Sequence, residues 1–140
     1  MTIILAIPTK DGLVLASDGQ ITSGAIRVSG KKIKELNKNS LWAASGRDAL
    51  IQRVEEEILN ISNKSVSLQN LRDTLSRIIR KCVNDLYQLD QQPPEGDFVF
   101  CEYLNNSTHI LHVTISGTPE WIRTGVFACG IGCMFAHALL

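Results

Sequence analysis

The chain has 140 residues, of which 44% are hydrophobic and 20% are charged. This apolar content is enough for a hydrophobic core, which excludes a wholly disordered chain, and the length predicts a single domain over residues 1–140. Fourteen lysines and arginines balance fourteen aspartates and glutamates, so the formal net charge is zero. Binding to nucleic acid or to an anionic membrane through bulk charge needs a basic excess, so neither partner is expected.

The sequence carries no signal for secretion or membrane anchoring. An apolar stretch follows Met1 directly, without the basic segment and the cleavage site of a signal peptide. The uncharged stretch 124–140 is interrupted by glycines and is shorter than the roughly 20 apolar residues that a membrane span needs. We therefore expect a cytoplasmic protein without disulfides, in which four cysteines are reduced core residues: Cys82, Cys101, Cys129 and Cys133.

The first third of the chain has the pattern of β-hairpins. Strands are predicted at residues 2–8, 13–17, 32–36 and 40–45. The segment Lys10-Asp11-Gly12 is a tight-turn signal between the first two strands, and Asn37-Lys38-Asn39 separates the other pair.

Helical periodicity follows. The first helix carries Leu50, Val54 and Ile58 at helical spacing, with Ile51 and Leu59 widening the apolar stripe. A polar stretch at 60–67 ends this pattern, and Ser67 is a plausible N-cap for a second helix. The second helix has one continuous apolar face that predicts core packing: Leu68, Leu71, Leu75, Ile78, Cys82, Leu86 and Leu89.

The last third returns to strands. After a loop at 91–96, strands are predicted at 97–104 and 108–115 around a turn at Asn105-Asn106, then a strand at 122–128 and a helix over 130–140. Strands, two helices, strands and a helix in that order favour α+β layers rather than alternating βαβ units. Because the last residues form an apolar helical segment, we expect a shortened version of a larger domain.

Thr2 is the residue with the most distinctive potential chemistry. If Met1 is removed, Thr2 has a free α-amino group beside its hydroxyl. An α-amine with an ordinary pKa of about 7.7–8.0 can take the hydroxyl proton near neutral pH, so nucleophile and base lie on one residue. Such a pair also needs a nearby cation, a carboxylate that places the cation, and backbone N–H groups for the oxyanion.

Asp18 and Lys32 can supply the carboxylate and the cation. The first hairpin returns the chain beside Thr2 at Asp18, and Lys32 begins the third strand. Each also has a simpler interpretation, with Asp18 as a turn former and Lys32 as one of several lysines on a solvated charged edge. Those neighbouring lysines are Lys31, Lys34 and Lys38.

Together these segments resemble the N-terminal-nucleophile hydrolases of the proteasome β-subunit and heat-shock-locus V peptidase family. The resemblance extends over essentially all 140 residues and is most specific in the first fifty. The matching segments are Thr2-Ile3-Ile4, Asp11-Gly12, Ala16-Ser17-Asp18-Gly19-Gln20, Gly30-Lys31-Lys32-Ile33-Lys34-Glu35-Leu36, Leu41-Trp42-Ala43-Ala44-Ser45-Gly46 and Cys129-Gly130-Ile131-Gly132.

The resemblance implies a fold, a site and an assembly. The fold would be a four-layer αββα sandwich of the α+β class, shortened by the loss of its C-terminal elements. Thr2 would be the nucleophile and, through its amine, the base; Lys32 would lower the pKa of that amine, Asp18 would orient Lys32, and the backbone N–H of Ala44 would bind the oxyanion. The protein would then be a threonine-type endopeptidase in a homo-oligomeric ring, supplied with polypeptides by an ATP-dependent unfoldase, without metal or organic cofactor.

Two alternatives from other classes remain. The family has a serine hydroxyl in its Gly-Ser-Gly turn, where this chain has Gly130-Ile131-Gly132, and a retained Met1 would block the amine of Thr2. Ile131 and the missing C-terminal part of the domain favour a catalytically inactive structural subunit of such a ring, and a retained Met1 would favour it further. The other alternative is a small-molecule amidohydrolase of the same fold.

No other residues form a convincing site. His109 and His112 are three residues apart on a predicted strand, so they point to opposite faces, which is poor geometry for a shared metal. Cys129 and Cys133 lack the further ligands of a zinc site. The glycines at 125–132 lack the Lys-Ser/Thr ending of a phosphate-binding loop.

Overall fold

The computed structural model describes residues 2–18, 20–23, 26–29, 32–61, 66–123 and 125–130. In chain order its elements are β1 Ile4–Thr9, β2 Gly12–Ser17, β3 Gln20–Ser23, β4 Ile26–Ser29, β5 Ile33–Asn37, β6 Ser40–Gly46, α1 Asp48–Leu59, α2 Leu68–Asp90, β7 Gly96–Leu104, β8 Ser107–Thr114, β9 Pro119–Ile122 and β10 Phe127–Cys129. Neither helix within these ranges is long and apolar enough to cross a membrane.

The strands form antiparallel sheets of different sizes. A five-stranded sheet has the order β5-β6-β7-β8-β9, and a three-stranded sheet has the order β10-β1-β2. Strands β3 and β4 pair with each other as a separate hairpin. The first and last of the described strands therefore meet in one sheet, where Ile4 lies opposite Cys129.

The five-stranded sheet has a hydrophobic core on each face. On one face, Trp42 and Phe98 pack with buried side chains of α1 and α2, such as Val54 and Leu75. On the other face, its side chains pack against the three-stranded sheet, and the buried members of this second core are Ile4, Ala6, Ala43, Val99, Cys101, Ile110 and Cys129. The described residues thus form a helical layer and two β layers, which confirms the α+β class.

Local sequence signals account for several element ends. Asn105 and Asn106 both have positive φ, at 52° and 61°, which a two-residue hairpin turn requires and asparagine tolerates. The Ser67 hydroxyl accepts a hydrogen bond from the backbone N–H of Asn70, so the predicted N-cap of α2 is confirmed. The buried Glu102 carboxylate accepts the N–H of Leu68 at 2.6 Å, which satisfies a second free donor at this helix end.

The prediction that Leu59 and Leu89 lie in the core is wrong. Leu59 is 75% exposed and Leu89 is 68% exposed, each near the C-terminal end of its helix. In α2 the buried face instead includes Ser76 and Ile79, and the hydroxyl of Ser76 donates to the carbonyl of Gly117.

Two predictions about strands also need correction. The strand predicted at 122–128 is two strands in different sheets, because Ile122 pairs with β8 whereas Phe127 pairs with β1. Gly125, with a positive φ of 73°, lies between them. The β3–β4 hairpin was not predicted at all, and the helix predicted over 130–140 lies outside the described residues beyond Gly130.

The described cysteines have the properties of core residues. Cys82, Cys101 and Cys129 are buried, as predicted, whereas Cys133 lies outside the described residues. Burial raises the pKa of the Cys101 thiol from 9.0 to about 12. For Cys82, burial and then the charges of Glu57 and Asp85 raise the pKa to about 11.

We expect Cys101 to resist alkylation in the folded protein at pH 8, because the thiolate is the reactive form. The raised pKa means that the folded state binds the thiol proton more tightly than the unfolded chain does. The contribution of the Cys101 thiol to the free energy of unfolding should therefore be constant below pH 9. It should fall as the pH rises from 9 towards 12, by up to about 1.4 kcal/mol per pH unit.

The measurement is iodoacetamide labelling at pH 8 with and without urea, followed by urea unfolding between pH 7 and 10.5. Cys101→Ala serves as the control and should show a smaller loss of stability above pH 9. Equal labelling of Cys101 in the folded and unfolded protein would contradict the expectation.

Candidate active site

The β1–β2 hairpin places Asp18 beside the start of the chain. Register pairs Ile4 with Ser17, so Asp18 lies opposite Ile3. The Ile3 N–H donates to Asp18 Oδ1 at 3.1 Å, and the Asp18 N–H donates to the Ile3 carbonyl at 3.3 Å. One of these hydrogen bonds thus fixes the Asp18 carboxylate, and the other fixes the Asp18 backbone, next to Thr2.

Lys32, which immediately precedes β5, completes a cluster with Thr2 and Asp18. Its Nζ donates to Thr2 Oγ at 3.2 Å and to Asp18 Oδ1 at 3.0 Å. The Lys32 side chain is 9% exposed and that of Asp18 is 32% exposed. A largely buried ammonium paired with a carboxylate acts on a neighbouring hydroxyl with less screening than it would in water.

The structure distinguishes Lys32 from the neighbouring lysines. Lys34 Nζ lies 3.7 Å from a carboxylate oxygen of Glu55 and 5.5 Å from the centre of the Trp42 ring, while Lys38 is exposed at the β5–β6 turn. Lys31 lies outside the described residues. The simpler interpretation, a lysine on a solvated charged edge, therefore applies to Lys38, whereas the ammonium of Lys32 is directed at Thr2.

Ala44 lies on β6, the strand next to β5. Because Ile33 pairs with Ala43, the next register position brings Ala44 level with Lys32. Its side chain belongs to the helix-facing core and is 4% exposed, and its partner on β7 is Phe98. The structure thus brings Thr2, Asp18 and Lys32 into direct contact and places Ala44 on the neighbouring strand.

Gly130 is a neighbour of this cluster that the sequence analysis did not select as a site residue. It follows β10, whose pairing with β1 brings it against the backbone of Thr2. The only sequence signal for such a close approach was its place in the motif Gly130-Ile131-Gly132.

The two histidines lie apart from the cluster and from each other. His109 Nδ1 lies 3.4 Å from Glu102 on the helix-facing side of the sheet, and His112 Nε2 lies 2.8 Å from Asp97 on the other side, where its ring contacts Phe127. The prediction of opposite faces is confirmed. Among the described residues, no group of three or more His, Cys, Asp or Glu side chains could hold a metal ion.

A cavity of about 370 Å³ lies at the β8–β9 edge of the five-stranded sheet. It contains none of the four candidate site residues. It is lined by Gln69, Thr108, His109, Ile110, Trp121, Ile122 and Arg123.

Comparison with known proteins identifies the family to which this chain belongs. The family model described as "Proteasome subunit" matches residues 2–140. The chain therefore belongs to the proteasome subunit family, as the sequence resemblance indicated. A comparison with curated proteins gave no match.

Solved structures of the same fold agree with this assignment. An Anbu (Gly-1) mutant from Hyphomicrobium sp. strain MC1 superposes with a TM-score of 0.74 at 15% identity, over 94% of this chain and 61% of the other. Anbu (ancestral beta-subunit) from Yersinia bercovieri gives 0.77 at 15% identity, over 99% and 65%. Eukaryotic HslV from Trypanosoma brucei gives 0.67 at 24% identity, over 97% and 75%.

These likenesses confirm the fold of the N-terminal-nucleophile hydrolases. The described residues supply one helical layer and both β layers of the expected αββα sandwich. The chain spans less than two thirds of the length of the two Anbu structures.

Proposed function

We propose that the protein is a threonine-type endopeptidase subunit of a proteasome-like ring, with Thr2 as its nucleophile. The observation that carries this proposal is the position of Lys32 Nζ, 3.2 Å from Thr2 Oγ and 3.0 Å from Asp18 Oδ1. A weak hydroxyl nucleophile next to an ammonium, itself held by a carboxylate, has the electrostatic surroundings that acyl transfer requires.

The reaction begins once Met1 has been removed. The free α-amine of Thr2 accepts the proton of its own hydroxyl, and Oγ attacks the carbonyl carbon of a peptide bond. The C–N bond of the resulting tetrahedral intermediate breaks, and the leaving amine takes the proton from the α-ammonium. Water, deprotonated by the same α-amine, then hydrolyses the ester on Oγ and restores Thr2.

Lys32 and Asp18 support this chemistry without bonding to the substrate carbon. The Lys32 ammonium stabilises negative charge on Oγ, and its field lowers the pKa of a nearby amine because it disfavours a second positive charge. Asp18 fixes the position of Lys32 through their ion pair. We assign the oxyanion contact to the backbone N–H of Ala44, which lies level with Lys32 on the neighbouring strand.

Membership of the proteasome subunit family supports the assembly part of the proposal. We propose a homo-oligomeric ring in the cytoplasm that receives polypeptides from an ATP-dependent unfoldase. Enclosure within a ring gives a general amide hydrolase access only to chains that enter it. The proposed steps use side chains and backbone groups of this chain and no metal or cofactor.

The decisive experiment combines intact-mass measurement with a peptide-hydrolysis assay on the same preparation. We expect the mass to lack one methionine and the preparation to cleave an unstructured polypeptide. An oligomer that retains Met1 and cleaves nothing would contradict the proposal and favour a structural subunit, the alternative that Ile131 supports. A monomer that cleaves a small amide but no peptide would contradict it in favour of a small-molecule amidohydrolase.

A further inference from the structure

Gly130 approaches the nucleophile more closely than any residue with a side chain could. A Cβ atom built on Gly130 would lie 2.4 Å from the carbonyl oxygen of Thr2 and 3.0 Å from its carbonyl carbon. Even in weak C–H···O hydrogen bonds, carbon and oxygen lie roughly 3.3–3.6 Å apart. A side chain at this position would therefore force Thr2 and Gly130 apart by about 1 Å.

This close contact cannot be relieved by rotation of a side chain. Both nearest atoms belong to the backbone of Thr2, and the next is the amide nitrogen of Ile3 at 3.5 Å. That same amide donates to Asp18 Oδ1, and Thr2 Oγ accepts from Lys32. A displacement of the Thr2 backbone would therefore change the distances between the hydroxyl, the ammonium and the carboxylate.

We propose that Gly130 is a positioning residue, whose missing side chain allows β10 to hold the Thr2 backbone within reach of Lys32. The inference rests on the proposed function, because it assigns Gly130 a part in the same reaction. Gly130 is assigned no contact with the substrate or the reacting hydroxyl, because the atoms that a Cβ would meet here are backbone atoms of Thr2 and Ile3. Its effect passes through the Thr2 carbonyl, and a misplacement of about 1 Å at a reacting group can cost about 100-fold in rate.

The chain offers a matched control in Gly125. Both glycines have positive φ, 98° at Gly130 and 73° at Gly125, so alanine is strained at either position. Among the residues that the structure describes, a Cβ on Gly125 meets nothing within 4 Å, whereas a Cβ on Gly130 meets Thr2. Gly125→Ala therefore also places an alanine at a positive φ, without the clash.

The test compares kcat, KM and the pH profile of peptide hydrolysis for the Met1-free protein, Gly130→Ala and Gly125→Ala. We expect Gly130→Ala to lower kcat about 100-fold with KM little changed. We also expect the acidic limb of its kcat profile to move to higher pH, because the amine lies farther from Lys32. Gly125→Ala should keep the kcat and the profile of the unchanged protein.

Equal kcat values for the two variants, whether both high or both low, would overturn the positioning role. If Gly130→Ala folds poorly, the assays are repeated in sucrose, which favours the compact state.

A protein that hydrolyses no amide would refute the proposed function alone. The positioning role is then judged from crystal structures of the two variants. A longer Thr2 Oγ–Lys32 Nζ distance in Gly130→Ala only would support it, and an unchanged distance would overturn it.

Discussion

Thr2→Ala is expected to abolish peptide hydrolysis, lowering kcat by about 10⁴-fold or more, because no other group replaces the nucleophilic oxygen. The substitution removes one hydroxyl that accepts a hydrogen bond from Lys32, so the loss of stability should be only about 1 kcal/mol. The measurement is the hydrolysis rate of a fluorogenic peptide, with chemical denaturation and sedimentation recorded on the same samples. Folding and assembly should be unchanged.

Thr2→Ser is the matched control for this prediction. Serine keeps both the hydroxyl and, after removal of Met1, the α-amine, so it should retain measurable hydrolysis. A Thr2→Ala protein with the full rate would show that the nucleophile lies elsewhere.

The second large effect is expected for Lys32→Ala. Its ammonium is the cation placed between Thr2 Oγ and Asp18 Oδ1, so its removal should lower kcat by about 10²- to 10⁴-fold. The remaining Asp18 carboxylate is 32% exposed and also accepts the Ile3 N–H, so the folded state should persist. The rate is measured across the pH range, so that a shifted optimum is not mistaken for lost activity.

Lys38→Ala is the control for the loss of a positive charge. Lys38 is exposed at the β5–β6 turn, away from the candidate site residues, and its replacement should leave kcat unchanged. Equal rates for Lys32→Ala and the unchanged protein would reject the role assigned to Lys32.

Local signals predicted most elements but not where each packing layer ends. Leu59 is separated from Val54 by about 140° around the helix axis at 100° per residue, so it lies away from the buried face. Leu89 has a suitable angle but lies in the last turn of α2, and periodicity gives no information on how far the opposing sheet extends. Both leucines were therefore assigned to the core incorrectly.

Short strands and changes of sheet were also beyond local reasoning. Strands β3 and β4 have four residues each, the shortest length at which alternation indicates a strand, and Gln20–Ser23 has only one apolar residue. The segment 119–129 contributes one strand to each sheet on either side of Gly125. Which partner a strand selects depends on the tertiary structure, and a single apolar stretch does not contain that information.

The candidate site could likewise be predicted only in part from local sequence signals. Hairpin pairing alone placed Asp18 beside Thr2, since Ile4 and Ser17 are partners in the β1–β2 ladder. The approach of Lys32 joins the three-stranded sheet to the start of β5 in the other sheet, a contact between layers that no periodicity encodes. Its selection among the neighbouring lysines came from the family resemblance.

The most direct test of the account is a ¹³C NMR titration of Thr2 in the Met1-free protein, with Lys32→Ala measured in parallel. The Cα and Cβ shifts of Thr2 report protonation of its α-amine. We expect the pKa of this amine to lie below the ordinary range of about 7.7–8.0 in the unchanged protein and to rise in Lys32→Ala. The same pKa in both proteins would contradict it, because the Lys32 ammonium would then have no influence on the base.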